Sequence, residues 1–152
     1  MPHERRVPSR AVRASRGVPS ARIATVAALL WARLWGGSVT FDDECGIYVC
    51  AGMRGGFARG GTTVGGAFLT RTQPTRRLLR HEAVHADQWA RYGLGFAVRY
   101  WWEEMRNPGS RNRFEIEAGL EDGGYRKSGG RPSRSTRSRG ASRRDRPPPP
   151  GE

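Results

Sequence analysis

The sequence has little of what marks several large classes of protein. Two cysteines among 152 residues are too few for a disulfide scaffold, and no apolar run reaches the roughly 18–20 residues that cross a bilayer. The longest such run, Ile23–Trp31, is soon interrupted by Arg33, and no small-residue cleavage site follows it as in a secretory signal. We therefore expect a cytoplasmic protein without a transmembrane segment.

The middle of the chain lacks net charge, and the positive charge lies at its ends. The formal net charge is +13, of which residues 1–34 carry +6 and residues 124–152 carry +7. Hydrophobic residues make up 36% of the chain, which allows one compact domain between two basic tails. We predict that residues 1–20 and 124–152 are disordered. Any binding of nucleic acid or another acidic partner by these tails should be weak and independent of sequence.

Apolar residues recur at helical spacing directly after the first tail. Residues 21–35 are predicted to form an amphipathic helix, and we expect its apolar stripe to pack against the domain. The stripe consists of Ile23, Val26, Ala27, Leu30 and Leu34. A helix lying on a membrane surface is the alternative interpretation of the same pattern.

Residues 36–123 are predicted to form an α+β domain, with a small antiparallel sheet whose edge strand precedes a helix, and two further helices after it. The expected strands are Ser38–Phe41, Ile47–Ala51 and Thr62–Thr70. The expected helices are Thr75–Tyr92, Phe96–Arg106 and Arg113–Asp122. The glycine-rich residues 52–66 contain no phosphate-binding motif, so we assign these glycines to bends and close backbone approaches.

Aromatic residues and cysteines in this domain are expected to be structural. The aromatic side chains expected in the core are Phe96, Tyr100, Trp101 and Trp102, together with Trp89. Cys45 and Cys50 are spaced like a zinc-binding pair, but no second pair accompanies them, and strand alternation would point them to opposite faces. We expect both to be buried free thiols.

The first predicted helix of the domain carries the motif His81-Glu82-Ala83-Val84-His85. Residues four apart on a helix lie about 40° apart around the axis and about 6 Å apart along it, so both imidazoles can reach one ion. This arrangement favours zinc, and Glu82 on the flank of the same face is placed to act as a general base on water. Two surface histidines without a metal are the alternative.

A zinc site needs a third protein ligand, and only carboxylates are available downstream. Glu115 and Glu117 lie two residues apart on a helix, hence on nearly opposite faces, so only one of them could bind the ion. Both have a structural interpretation as well. Glu115 could form a capping box with Asn112, and Glu117 could pair with Arg113.

The segments RHEAVHADQWARYG and NRFEIEA, separated by an aromatic helix, resemble the minigluzincins, small zinc metallopeptidase-type proteins with the motifs HExxHxxQ and NPFExEA. The similarity spans about 60 residues, roughly Thr62–Asp122. It implies a zinc ion (Zn2+) held by His81, His85 and Glu115, with Glu117 as the second choice for the third ligand. It also implies that Glu82 is the catalytic residue.

The resemblance implies a site for substrate too. In gluzincins an extended peptide lies antiparallel to the strand before the motif helix, which here is Thr62–Thr70. Two positions depart from the family pattern, since Gly119 stands where an aspartate is common and Arg113 where proline is usual. Gln88 and Tyr92 continue the face of the two histidines and could support the metal site or pack.

Two functions fit these observations. The first is a zinc-dependent metallopeptidase-like domain that hydrolyses a peptide bond of an unknown peptide or protein substrate. The second is a non-catalytic, zinc-stabilised binding module, which the basic tails tether to nucleic acid or another acidic partner.

Overall fold

A computed structural model describes residues 8–58, 60–120 and 122–124, and these residues form an α+β fold. The helices are α1 (Arg10–Ala14), α2 (Pro19–Leu34), α3 (Arg76–Tyr92), α4 (Phe96–Arg106) and α5 (Arg113–Ala118). The strands are β1 (Ser38–Asp42), β2 (Ile47–Ala51), β3 (Thr62–Val64) and β4 (Ala67–Leu69). Short 3-10 turns at Gly93–Gly95 and Gly109–Arg111 precede α4 and α5. The predicted fold class is therefore confirmed.

The four strands form one sheet in the order β1-β2-β4-β3. β1 pairs with β2 and β3 with β4 in antiparallel fashion, but β2 and β4 run parallel, so the sheet is mixed rather than wholly antiparallel. The single strand predicted over Thr62–Thr70 is wrong, because the chain turns at Gly65, whose φ is +60°. β3 thus lies at the edge, and β4 lies inside the sheet.

Helices cover both faces of this sheet. Alternation along the strands points Tyr48 and Cys50 towards α2, and Ile47 and Val49 towards α3. Cys45 packs on the α3 side, so the two free cysteines belong to opposite faces, as predicted. Cys50 is buried, whereas Cys45 is only partly buried.

The inward face of α2 differs from the predicted one. Its buried residues are Ala21, Ala24, Thr25, Ala28 and Ala32, whereas all five residues of the stripe expected to pack are exposed. Small residues are required because the β3–β4 turn touches the helix. A Cβ added at Gly65 would lie 2.5 Å from Thr25 Oγ1. The sequence pattern predicted burial of the large apolar residues, but close packing against the turn buries the small ones instead.

The segment before α2 is also ordered, in contrast to the predicted disorder of residues 1–20. Ser9 caps α1 by accepting a hydrogen bond from Val12 N, and Ala14 and Ser15 are buried. Arg16 holds this segment to the domain, since its guanidinium donates to Gly46 O at 2.6 Å and pairs with Asp87 at 2.6 Å. These contacts are polar, so a search for apolar periodicity overlooks them. Residues 1–7 lie outside the described chain.

The helices after the sheet follow their predicted positions closely. Thr75 caps α3, and Gly93, with φ +62°, ends it. α5 ends at Ala118, four residues before the predicted end, because Gly119 adopts a φ of +91°. Trp89 and Phe96 pack with Ala24 and Phe114 in one cluster, but Trp101 and Trp102 are exposed, so their predicted burial is wrong.

None of the described helices is long and apolar enough to span a membrane. The predicted C-terminal tail, residues 124–152, lies outside the described residues except for Gly124.

Candidate metal centre

α3 presents its two histidines on one buried face. Leu79 and Ala86 anchor the helix on the sheet, and this orientation turns His81 and His85 towards α5. The two side chains are at least nine-tenths buried, and their Nε2 atoms lie 3.1 Å apart. The spacing of the motif therefore produces the predicted convergence of two ring nitrogens.

Glu115 approaches the histidines from α5. Its Oε2 lies 3.2 Å from His81 Nε2, and its Oε1 lies 3.3 Å from His85 Nε2. α5 is fixed by burial of Phe114 and by Asn112, whose side chain accepts a hydrogen bond from Phe114 N at 2.9 Å. Asn112 thus caps the helix, and the Glu115 carboxylate is left for the histidines.

The carboxylate of Glu115 is held in its charged form. Burial alone would raise its pKa, but hydrogen bonds with His81, His85 and Tyr100 hold the pKa well below the usual range. Tyr100, from α4, donates its hydroxyl to Glu115 Oε1. Sequence analysis predicted Tyr100 as a core residue and missed this contact. The one feature of the sequence that hinted at it is the aromatic helix before the second motif.

Hydrogen bonds on the far side of each imidazole orient the rings. His81 Nδ1 lies 3.1 Å from the Gly119 carbonyl oxygen, and His85 Nδ1 lies 2.8 Å from Gln88 Oε1. Both partners can accept a hydrogen bond, so in the tautomer that binds a metal ion each neutral ring would carry its proton on Nδ1 and offer the lone pair of Nε2. Without an ion, the Nε2 atoms are the ones that share hydrogen bonds with Glu115.

Glu117 lies outside the cluster and supports it indirectly. The side-chain amide of Gln88 donates to Phe114 O at 3.1 Å and to Glu117 Oε2 at 3.0 Å, which leaves its oxygen to face His85. Glu117 also pairs with Arg91 at 2.8 Å. Of the two predicted alternatives for a third ligand, the structure brings Glu115 to the histidines and directs Glu117 to Gln88.

The donor set fits a metal ion. The ligand atoms of His81, His85 and Glu115 lie within 4.8 Å of one another, close enough to hold one cation. With the Nδ1 protons directed outward, two nitrogen lone pairs and a carboxylate face each other, an arrangement that a positive charge at their centre stabilises. In the metal-free form, burial lowers the pKa of His81, but hydrogen bonding to Glu115 and the charge of Glu82 raise it above its ordinary value overall.

Glu82 lies beside this cluster but is not part of it. It is buried, and its Oε2 accepts a hydrogen bond from Thr63 Oγ1 of β3 at 2.7 Å. Burial raises the pKa of Glu82 above its ordinary value, and the opposing effects of His85, Thr63 and His81 are smaller. A carboxylate with a raised pKa is a better proton acceptor near neutral pH than an exposed one.

The turn after α5 covers one side of the site. Asp122 pairs with Arg77 at 3.0 Å, and this turn places Gly123 directly over the ring of His81. A Cβ at Gly123 would lie 2.5 Å from His81 Cε1, so only glycine fits without a shift. Nothing local in the sequence indicates this contact.

Comparison of the chain with protein-family models, with curated proteins and with solved structures finds no match in any of the three. The geometry of the site and the quoted motifs therefore carry the functional argument.

Proposed function

We propose that this protein is a zinc-dependent peptide hydrolase of minigluzincin type, in which His81, His85 and Glu115 hold the ion and Glu82 is the general base. The observation that carries this proposal is the convergence of two Nε2 atoms and one carboxylate in a buried cluster, with a second carboxylate beside it. The HExxH spacing independently supports His81 and His85 as ligands and Glu82 as the base.

Zinc is the ion that the donor set favours. Two imidazoles and one carboxylate match a common zinc arrangement with three protein ligands, in which the fourth position takes water or substrate. Calcium and magnesium prefer sites made of oxygen atoms. Both imidazoles are oriented from outside by hydrogen-bond acceptors, as is usual for histidines that bind zinc.

The residues around the ion divide the work of hydrolysis. A zinc ion held by His81, His85 and Glu115 would supply Lewis acidity, which would make water a nucleophile near neutral pH. Glu82 would accept a proton from the attacking water and return it to the leaving amine. Thr63 holds the Glu82 side chain, and Tyr100 holds that of Glu115.

An extended peptide is the proposed substrate, and the resemblance suggests β3 as the strand beside which it lies. β3 is at the edge of the sheet, and Thr63 connects it to Glu82. The Thr63 carbonyl already accepts a hydrogen bond from Trp89 Nε1 at 2.9 Å, so a peptide would have to use other main-chain groups of this short strand.

The proposal is tested by separating metal binding from catalysis. Zinc content is measured on purified wild type, His85→Ala and Glu82→Gln, and cleavage is assayed with a library of fluorogenic peptides. We expect His85→Ala to lose zinc and activity. Glu82→Gln should keep zinc and lose activity by about 100-fold or more, because a general base contributes roughly that much. Glu44→Gln, at an exposed position in the β1–β2 turn, is the matched control for removal of a carboxylate.

Equal zinc in wild type and His85→Ala would remove the proposal. Equal cleavage by wild type and Glu82→Gln would remove Glu82 as the base and leave only the metal site.

A zinc-stabilised binding module without catalysis is the second candidate, and burial favours it. His81, His85, Glu82 and Glu115 are all at least nine-tenths buried, and Gly123 covers His81. Closed sites are typical of structural zinc. If zinc is present but no peptide is cleaved, a salt titration of DNA binding by the full chain and by a chain without residues 124–152 tests this candidate.

A further inference from the structure

Two helices expose large apolar side chains on the faces opposite to those they bury. On α2 these residues are Ile23, Val26, Leu30, Trp31 and Leu34, and on the turn before α4 and on α4 itself they are Leu94, Val98, Trp101, Trp102 and Met105. Leu34 is 76% exposed and Val98 69%. Single exposed apolar residues are ordinary, but a continuous stripe on a helix indicates an interaction surface.

α2 and the start of α4 lie next to each other. α2 contacts the 3-10 turn Gly93–Gly95, which carries Leu94, and Ala24 of α2 packs in the same cluster as Phe96 at the start of α4. An open apolar groove of about 590 Å³ extends the surface on the other side of α2, between Ala27 and Trp31 of the helix and Phe57 of the following loop.

The charge beside these faces has one sign. The charged residues of α2 are Arg22 and Arg33, both exposed, and both fall on one flank of the apolar stripe at 100° per residue. Arg99 and Arg106 flank the stripe of α4, and Arg106 lies 4.7 Å from the centre of the Trp102 ring. Within the described part of the chain, none of these four arginines is within ion-pair distance of a carboxylate.

The acidic residues of α4 have polar partners near the end of that helix. Glu104 accepts hydrogen bonds from Gly109 N and Asn112 Nδ2, and Glu103 accepts one from Asn107 Nδ2. Both carboxylates therefore belong to the loop that leads to α5. Among the described charged residues of α2 and α4, those whose side chains lack an ion pair or a hydrogen bond are therefore arginines.

We propose that the outward faces of α2 and α4 dock this protein on an anionic phospholipid bilayer. The arginines match the negative headgroups, the aliphatic side chains match the acyl region, and exposed indoles favour the boundary between the two. A basic protein partner would be repelled by the same arginines. This inference goes beyond the proposed hydrolase function and does not depend on it.

The experiment uses the full chain and vesicles of phosphatidylcholine with or without phosphatidylglycerol. We expect co-sedimentation with the anionic vesicles and a blue shift of tryptophan emission. Lipids brominated in their acyl chains should quench that emission, because Trp31, Trp101 and Trp102 enter the interface. Binding by basic chain ends alone leaves the indoles in water, so the quenching separates the two modes of attachment.

Paired variants locate the contact. Leu30→Glu with Leu34→Glu should weaken partitioning to anionic vesicles by about tenfold or more, because two anchors become negative charges. Trp101→Ser with Trp102→Ser provides a second, uncharged test on α4 and should remove most of the quenching. Thr72→Glu with Gln73→Glu adds the same charge at exposed positions outside the surface and should bind like wild type. Circular dichroism verifies that each variant is folded.

Two results would overturn the proposal. One is equal partitioning of wild type and the Leu30→Glu, Leu34→Glu variant with no blue shift, which would assign attachment to the basic ends. The other is a lipid-free dimer that the same variant dissociates, which would assign the surface to a second copy of the chain.

Discussion

At the junction of α3 and α5 the protein buries polar side chains, whereas on the outward faces of α2 and α4 it exposes apolar ones. Polar burial is tolerated at the junction because each group has a partner: within the described residues, no buried side-chain nitrogen or oxygen lacks a hydrogen bond. Within the described residues, nothing covers the exposed apolar side chains of α2 and α4 in a comparable way. The contrast shows that local composition does not determine which side of an element faces the core, since contacts with neighbouring elements do.

Metal removal should have the largest effect on stability, and it tests the buried polar cluster at the α3–α5 junction. A ligand present at about 1,000 times its dissociation constant stabilises the folded state by about 4 kcal/mol, so chelation with EDTA should lower the melting temperature by roughly 10–20 °C. Calorimetry of the zinc-loaded protein with and without EDTA measures this shift. An unchanged melting temperature would mean that the cluster is stable without an ion.

Gly65→Ala should come next, because it tests the close packing of α2 on the β3–β4 turn. The new Cβ would meet Thr25 Oγ1 at 2.5 Å and Ala21 O at 2.6 Å, and the φ of +60° adds strain, so we expect a loss of about 2–4 kcal/mol. Gly52→Ala is the matched control, since its φ is also positive but nothing lies within 4 Å. Urea unfolding should show a cost of only about 1–2 kcal/mol there.

Cys50→Ser asks whether the core beneath α2 accepts a polar group as the α3–α5 junction does. Cys50 is fully buried among apolar residues, and burial raises its pKa to about 11, so at neutral pH it is an uncharged thiol. The apolar side chains around this position cannot replace the hydrogen bonds that a serine hydroxyl makes with water in the unfolded chain. We therefore expect the free energy of unfolding to fall by about 1–3 kcal/mol. Cys45→Ser, at a partly exposed site, should change the unfolding free energy much less.

The smallest effect is expected on the outward face of α2. Leu34→Ser removes a side chain that is 76% exposed, so the free energy of unfolding in the absence of lipid should change by no more than about 0.5 kcal/mol. A loss above about 1.5 kcal/mol would show that Leu34 is packed in the protein in solution, and the contrast between the two regions would fail.

Sequence analysis located what depends on local geometry. The spacing of His81 and His85 fixes their relative position on any helix, and Thr75 and Gly93 bound that helix, so the motif and its element were both predictable. The class of fold followed from the order of strand and helix patterns. Glu115 was selected over Glu117 by resemblance alone, because only packing of α5 against α3 decides which carboxylate faces the histidines.

Features that depend on contact between distant segments were not predictable. Tyr100, Thr63 and Gly123 touch the site from α4, β3 and the final turn, and no motif marks them. The prediction of which face of α2 is buried was wrong, because the β3–β4 turn requires small residues opposite it. Apolar periodicity does not reveal that requirement. The first helix was missed because an arginine, rather than an apolar stripe, attaches it.

That arginine has a practical consequence for anyone who shortens the protein. Arg16 joins the α1 segment to the β1–β2 turn at Gly46 and to α3 at Asp87, and Ala14 covers Gly66 so closely that a Cβ at Gly66 would lie 2.1 Å from its carbonyl oxygen. Composition alone suggests an expression boundary at residue 21. A chain that begins there would lack the contacts of Arg16 and would expose Gly66, which Ala14 covers. A truncation meant to isolate the folded domain should therefore begin before Ser9.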